Sequence, residues 1–413
     1  MNISLEFTAC PRPDRGEAFQ RRFRDCFPRR ETWERFLLCL HDRLHDTERT
    51  SPDAALPEGT GAVRSRQRFL SDAVWDAEKV MARYHKEVRD VLGDRDGALV
   101  FQTVDFVKKG SDSAGVARQP CGSTGRLRNA QVGVFAVYVS RYGAALVDGR
   151  LFAPAQWFGE DSWDKSRDKR RKRRFPEAIE YQTKTEIALG ILERMQAAGT
   201  LPFRYVLTGR LDDTPHDFIL VIEKNPRCFY FLTIPEDATI SYTKKISWKR
   251  HTKKGFLWYW KKLYVGVVKK RRASIRAWSY IRRIPPGSWH RRAVTGVPEE
   301  RGDEFTRRRL SISIGARPDR QHWLIGRRIG GKRPVYTYYI SNAPARERLA
   351  TFVRMSGVVE EASHCLREAT TGAGLNRYAV RTWTGWHRHT LVCMVAHFFR
   401  SGRLSGGADQ VLD

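Results

Sequence analysis

A mixed α/β fold is predicted by three observations. Two apolar runs, Ala98 to Phe101 and Val132 to Val139, flank a polar, glycine-containing segment and read as a buried central hairpin. After that hairpin, strand and helix patterns alternate in the order strand, helix, strand, helix, strand. From about Ser241 the composition then shifts to Lys and Arg mixed with aromatic residues at alternating positions, which reads as a β-rich insertion.

Residues 1–95 form the N-terminal part and are expected to be helical. Trp33, Phe36, Leu37, Leu40 and Leu44 recur on one face of Arg29 to Asp46. Phe69, Leu70, Val74, Trp75, Val80 and Tyr84 repeat the pattern further on, beyond the loop SPDAALPEGTGAVRS. Arg64, Arg66 and Arg68 at the start of the second unit suit a DNA-binding helical domain, and a helical cap packed on the next domain fits the periodicity equally well.

Residues 96–240 hold the hairpin, a strand ALVDGRLFAP with a turn expected at Asp148-Gly149, a helix with Ile187, Leu189, Ile191, Leu192 and Met195 apolar, and the strands FRYVLTG and CFYFLTIP. This order suits the first part of a ribonuclease-H-like core. Residues 241–334 are the basic, aromatic-rich β insertion, with Phe256, Trp258 and Trp260 alternating in it. Residues 335–402 return through VYTYYISNAP to the core and end in helices, and 403–413 are expected to be a flexible tail.

Lys plus Arg number 75 against 46 Asp plus Glu, a net charge of +29 in a chain that is 41% hydrophobic. Such an excess points to a polyanionic partner, double-stranded DNA before any membrane. A run of about 18 apolar residues is missing and the first residues lack a signal-like apolar segment, so a cytoplasmic, nucleoid-associated protein is expected. Seven cysteines without a C-x-x-C pair argue against a disulfide framework or a structural zinc site.

Eight of the ten residues from Lys165 to Arg174 are basic (Lys165, Arg167, Lys169, Arg170, Arg171, Lys172, Arg173 and Arg174), more than solubility needs, and read as a phosphate-tracking loop. Lys108, Lys109 and Arg118 beside the hairpin, and Lys253, Lys254, Lys261 and Lys262 in the insertion, are further candidate DNA contacts. Arg381, Trp386, His387, Arg388 and His389 form a C-terminal His/Arg cluster. His387 and His389 do not share a helix face and no carboxylate accompanies them, so nucleic-acid contact is favoured there over a metal site.

Short signatures also fall in a telling order: QRFL (Gln67 to Leu70), FVKKG (Phe106 to Gly110), GVARQ (Gly115 to Gln119), NxQVGVF (Asn129 to Phe135), LFAPAQW (Leu151 to Trp157), YYISNAP (Tyr338 to Pro344), LATFVR (Leu349 to Arg354) and GLNRYAVRTWTGWHRH (Gly374 to His389). In this succession the chain resembles the bacterial insertion-sequence DDE transposases of the family numbered seven hundred and one. That resemblance implies a ribonuclease-H-like core, DNA cleavage and strand transfer at transposon ends, a homodimer when DNA-bound, and three carboxylates holding two Mg²⁺ ions.

At each family carboxylate this chain carries another residue. LVFQTVDFVKKG aligns with a family pattern LVVDETGFLKKG, so Gln102 takes the first aspartate position. LTGRLDDT aligns with VTGDEVYG, so Arg210 takes the second. In the helix FVRMSGVVEEASHCLREATTGAGLN, Ser363 takes the glutamate position. The expected protein is therefore a catalytically inactive DNA binder that needs no cofactor. The alternative is an active Mg- or Mn-dependent transposase in which Asp105, Asp212, Asp213, Glu360 or Glu361 substitutes.

Overall fold

The computed structural model describes residues 13–45, 60–121, 126–158, 168, 170–209, 211, 216–223, 228–247, 268–294, 302–313, 320–330 and 334–401. Among these the helices are α1 (Pro13–Arg21), α2 (Arg30–His45), α3 (Thr60–Ser71), α4 (Ala77–Leu92), α5 (Lys184–Ala198), α6 (His216–Ile222), α7 (Ala277–Arg282), α8 (Leu349–Thr371) and α9 (Trp383–Arg400). The strands are β1 (Ala98–Val107), β2 (Ala117–Cys121), β3 (Arg126–Ser140), β4 (Gly143–Phe152), β5 (Tyr205–Thr208), β6 (Phe229–Ile234), β7 (Thr239–Ser247), β8 (Val268–Arg276), β9 (His290–Arg291), β10 (Glu304–Ser313), β11 (Arg320–Ile329) and β12 (Val335–Ser341). The chain divides into two compact units, Met1–Phe229 with Met355–Asp413, and Tyr230–Arg354.

In the first unit the two apolar runs pair as expected. β1 lies antiparallel to β3 from Ala98 opposite Val139 to Val107 opposite Ala130. The far edge of β3 carries β2 and β4 in turn, also antiparallel, while β5 joins β1 in parallel with Phe101 opposite Thr208. Residues Val132 to Val139 are buried without a break, because a central strand covered on both faces has no solvent side to make polar. α5 begins at a capping box, with Thr183 and Glu186 each accepting a backbone N–H from the other's position, and ends at Gly199 in the left-handed region.

Two local expectations are corrected. No turn occurs at Asp148-Gly149, because β4 runs through both residues to Phe152. Asp148 is 3% exposed and is satisfied in mid-strand by Arg150 Nε at 3.0 Å, Arg194 at 3.2 Å and the Gly149 N–H at 2.7 Å. The second N-terminal apolar pattern is two helices rather than one: α3 stops at Ser71, and Val74 in the connection is 86% exposed. Trp75 folds back there, stacking on Phe69 at 5.3 Å and donating its indole N–H to the Phe69 carbonyl, while Asp76 caps α4 through the Lys79 N–H.

α9 packs against α2, α3, α4 and β4, and twelve of its 18 residues are buried. A helix apolar on most of its circumference belongs inside a core. No helix among the described residues is long and apolar enough to cross a membrane.

The second unit is an antiparallel sheet in the order β6, β12, β11, β10, β7, β8, with β9 beside β10. Phe305, Leu324, Ile325, Tyr338 and Ile340 are buried in its strands, as are Ala277 and Ile281 of α7. A buried ion pair joins Arg327 to Asp303 at 2.6 Å. Within the insertion, Phe256, Trp258 and Trp260 lie outside the described residues.

Candidate functional site

Gln102 sits in the middle of β1, opposite Phe135 of β3 and one residue past the end of the parallel pairing with β5, and is 7% exposed. Its side-chain N–H group donates to Ser363 Oγ at 2.8 Å and to the Val359 carbonyl at 3.2 Å. Ser363 Oγ in turn lies 2.8 Å from the Val359 carbonyl, one helical turn back in α8. Residues 261 positions apart in sequence thus meet through a neutral amide and a neutral hydroxyl, and each polar group has a partner.

β5 leads to the same place. Gly209 follows it, donating its N–H to the Phe101 carbonyl at 2.9 Å, and a Cβ at Gly209 would lie 2.7 Å from Gln102 Cγ. Glycine is the residue that lets this backbone approach the Gln102 side chain so closely. Arg210 comes next in the chain, and Arg210, Asp212 and Asp213 lie outside the described residues.

Asp105 is three residues beyond Gln102 on β1, about 10 Å along and on the opposite face by strand alternation. It faces Val132 in register and raises the thiol pKa of buried Cys121, after burial itself. Glu360 and Glu361 directly follow Val359 in α8 and are half-buried. Among the described residues, no group of three or more His, Cys, Asp or Glu side chains is placed to hold a metal ion.

The basic residues separate into surface and interior. Lys109, Arg118, Arg171, Lys172 and Arg381 are exposed. Lys108 lies with Nζ 3.6 Å above the Tyr378 ring, and burial pushes its ammonium pKa down to about 8. Arg170 packs over Phe158 and Phe175 and donates to the Pro176 and Ile179 carbonyls, so it shapes the segment that follows it. Arg173 and Arg381 share Asp112 at 3.3 and 3.5 Å, and Arg174, in the left-handed region at φ 50°, pairs with Asp72 at 2.7 Å. Lys165, Arg167, Lys169, Lys253, Lys254, Lys261 and Lys262 lie outside the described residues.

The C-terminal His/Arg cluster is a correction to the expected DNA contacts. Trp386 and His389 are each 1% exposed. Trp386 donates to the Tyr378 hydroxyl, which donates to Gln131 Oε1, in a buried chain of hydrogen bonds. His387 places Nδ1 2.9 Å from the Trp383 carbonyl and accepts the Leu151 N–H at Nε2, and burial pushes its pKa down to about 4. Arg388 donates to the Ala73 and Trp75 carbonyls and stacks over Trp75. Arg388 ties α9 to the connection before α4, His387 ties it to β4, and Trp386 and His389 bond to Tyr378 and Leu375 in the segment before α9; their polar pattern in sequence reflects internal hydrogen bonding.

The parallel and antiparallel strands around Gln102, with Ser363 brought onto them by a helix, are consistent with a ribonuclease-H-like domain of the DDE type. Residues 22–210 match the family model described as DDE superfamily endonuclease. The chain is also 26% identical over 204 residues to the probable transposase for insertion sequence element IS701 of Microchaete diplosiphon, an alignment covering 49% of each protein. The chain thus spans about half the length of that curated relative. Both matches support a DDE transposase.

Proposed function

We propose that this chain is a transposase-family protein that binds duplex DNA, such as the ends of an insertion element, without cutting it. The observation that carries the reading is the Gln102 to Ser363 hydrogen bond, which joins two of the three positions where the resemblance expects carboxylates. Two divalent cations need hard anionic oxygens, and an amide and a hydroxyl that already satisfy each other do not fit them. Arg210 at the remaining position, the second of the three, adds a cation, which about 4 Å from a divalent ion would oppose it by roughly 8 kcal/mol at an effective dielectric near 20.

DNA binding is supported by the net charge of +29 and by the exposed Lys109, Arg118, Arg171 and Lys172. Paired element ends are two copies of one site, which a twofold homodimer on the nucleoid would match.

Purified protein incubated with labelled end DNA and Mg²⁺ or Mn²⁺ tests both parts. Salt-sensitive binding with no nicking is expected. Metal-dependent nicking that disappears in Asp105→Ala or Glu360→Ala would overturn the inactive reading in favour of displaced carboxylates.

A further inference from the structure

Within the basic, aromatic-rich insertion, the second unit presents a surface of arginines and rings. From Arg276 to Arg292 the chain carries five arginines, two tryptophans and no carboxylate, and Arg276, Arg282, Arg283, Arg291 and Arg292 are all exposed. Trp278, on α7, is 37% exposed. The Arg282 guanidinium lies 5.6 Å over the Trp278 ring and 5.0 Å over the Tyr336 ring. Tyr336 in turn meets Trp289 edge-on at 6.1 Å, and Arg328 lies 5.0 Å over Trp289. Three rings and two guanidinium groups therefore lie together in one cluster.

The acids bordering this cluster are few. Glu304 is engaged by Arg328, at 2.6 Å from Nε, and stands opposite Arg291 in the β9 and β10 register. Glu236, beside α7, accepts the Trp278 N–H through its backbone carbonyl. Glu236 and its neighbour Asp237 are exposed, and the five exposed arginines outnumber these acids.

The chemistry of this cluster selects among polyanions. A duplex keeps its bases stacked on one another and offers outward phosphates, which arginines alone can hold. The exposed Trp278 indole and the half-buried Trp289 and Tyr336 rings add nothing to such a contact. An unpaired base has a free π-face, and it stacks on aromatic rings and on guanidinium planes.

We propose that this face binds unpaired nucleotides of DNA, with bases stacking on Trp278, Tyr336 and Trp289 and phosphates held by Arg283, Arg291 and Arg292. The proposal rests on the DNA-binding reading above and adds a second mode of contact to it.

Fluorescence anisotropy of the full chain against a blunt duplex, and against the same duplex with a short single-stranded tail, tests the idea. The tail should tighten binding about ten-fold, the gain of one stacked base. Trp278→Ala should remove that gain and leave the blunt duplex unchanged, whereas Trp278→Phe, which keeps a ring, should retain most of it. Tryptophan emission should be quenched by the tailed duplex and unaffected by the blunt one.

A tail that adds nothing, or a Trp278→Ala loss equal on both DNAs, would overturn the stacking site while leaving duplex binding intact. Failure to bind either DNA would overturn both readings. Displacement of the tail-dependent complex by polyglutamate at matched charge would show that the face takes acidic chains in general, and would overturn the assignment to bases.

Discussion

Lys108 illustrates how one side chain can report on the proposed function. Its ammonium sits against the Tyr378 ring and is partly withdrawn from water, so its pKa falls from 10.5 to about 8. If it holds a DNA phosphate, duplex affinity should drop several-fold as pH rises through about 8, and Lys108→Arg, charged throughout, should show no such step. Anisotropy titrations at fixed ionic strength measure this, and a flat wild-type profile would remove Lys108 from the interface. Stability moves the opposite way. The unfolded chain binds the proton more tightly than the folded one, so stability from this group is absent below about 8 and grows as pH climbs towards 10.5. The residues of the candidate site were legible in the sequence only as alignment positions. That Gln102 and Ser363 satisfy each other is a property of the fold, because nothing local links a strand residue to a helix residue 261 positions later.

β4 shows where local rules mislead. Asp-Gly is among the strongest short signals for a hairpin turn, yet here Asp148 is a buried anion between Arg150 and Arg194. Burial alone would raise its carboxyl pKa, but the two guanidinium groups override it and hold the pKa below 3.8. Asp148→Ala should cost about 2–4 kcal/mol, since it also strips two arginines of a charged partner. Denaturant melts of wild type and variant should show a difference that persists at neutral pH and shrinks as pH falls through the folded-state pKa, where the wild-type carboxylate is itself neutralised. Gly149 has a separate reason. A Cβ there would sit 2.6 Å from the Phe135 ring and 2.9 Å from Thr390 Cγ2, so Gly149→Ala should destabilise by about 1–3 kcal/mol in the same melts. α9 misled in the other direction: its histidines and arginines look like a surface, while its near-continuous apolar run from Leu391 to Phe398 marks a core helix.

For the whole molecule, what could be read in advance was the part dictated by periodicity. The apolar runs at Ala98 and Val132 are a central antiparallel pair, though the connection between them holds β2 rather than a plain turn, and alternating strand and helix patterns match a mixed α/β order, because burial of a strand or a helix face imposes its own spacing. Partner choice among charges could not be read, since it depends on which acids the fold brings near. Asp112, Asp72 and Asp148 each engage arginines, yet 46 acids cannot neutralise 75 basic residues, and most of the excess must face solvent or a polyanion. That excess sets the last prediction. If six to ten of those cations meet phosphates, each releases condensed counterions, and duplex affinity should fall by about a thousand- to a hundred-thousand-fold between roughly 50 and 200 mM salt. A logarithmic plot of affinity against salt would then be straight, with a slope of about −0.9 for each phosphate contacted. Arg171→Ala and Lys172→Ala, at exposed positions, should each make the slope shallower by about one contact. Arg170→Ala should instead lower the melting temperature and leave the slope in place, because that guanidinium is spent on Phe158, Phe175 and two carbonyls rather than on solvent.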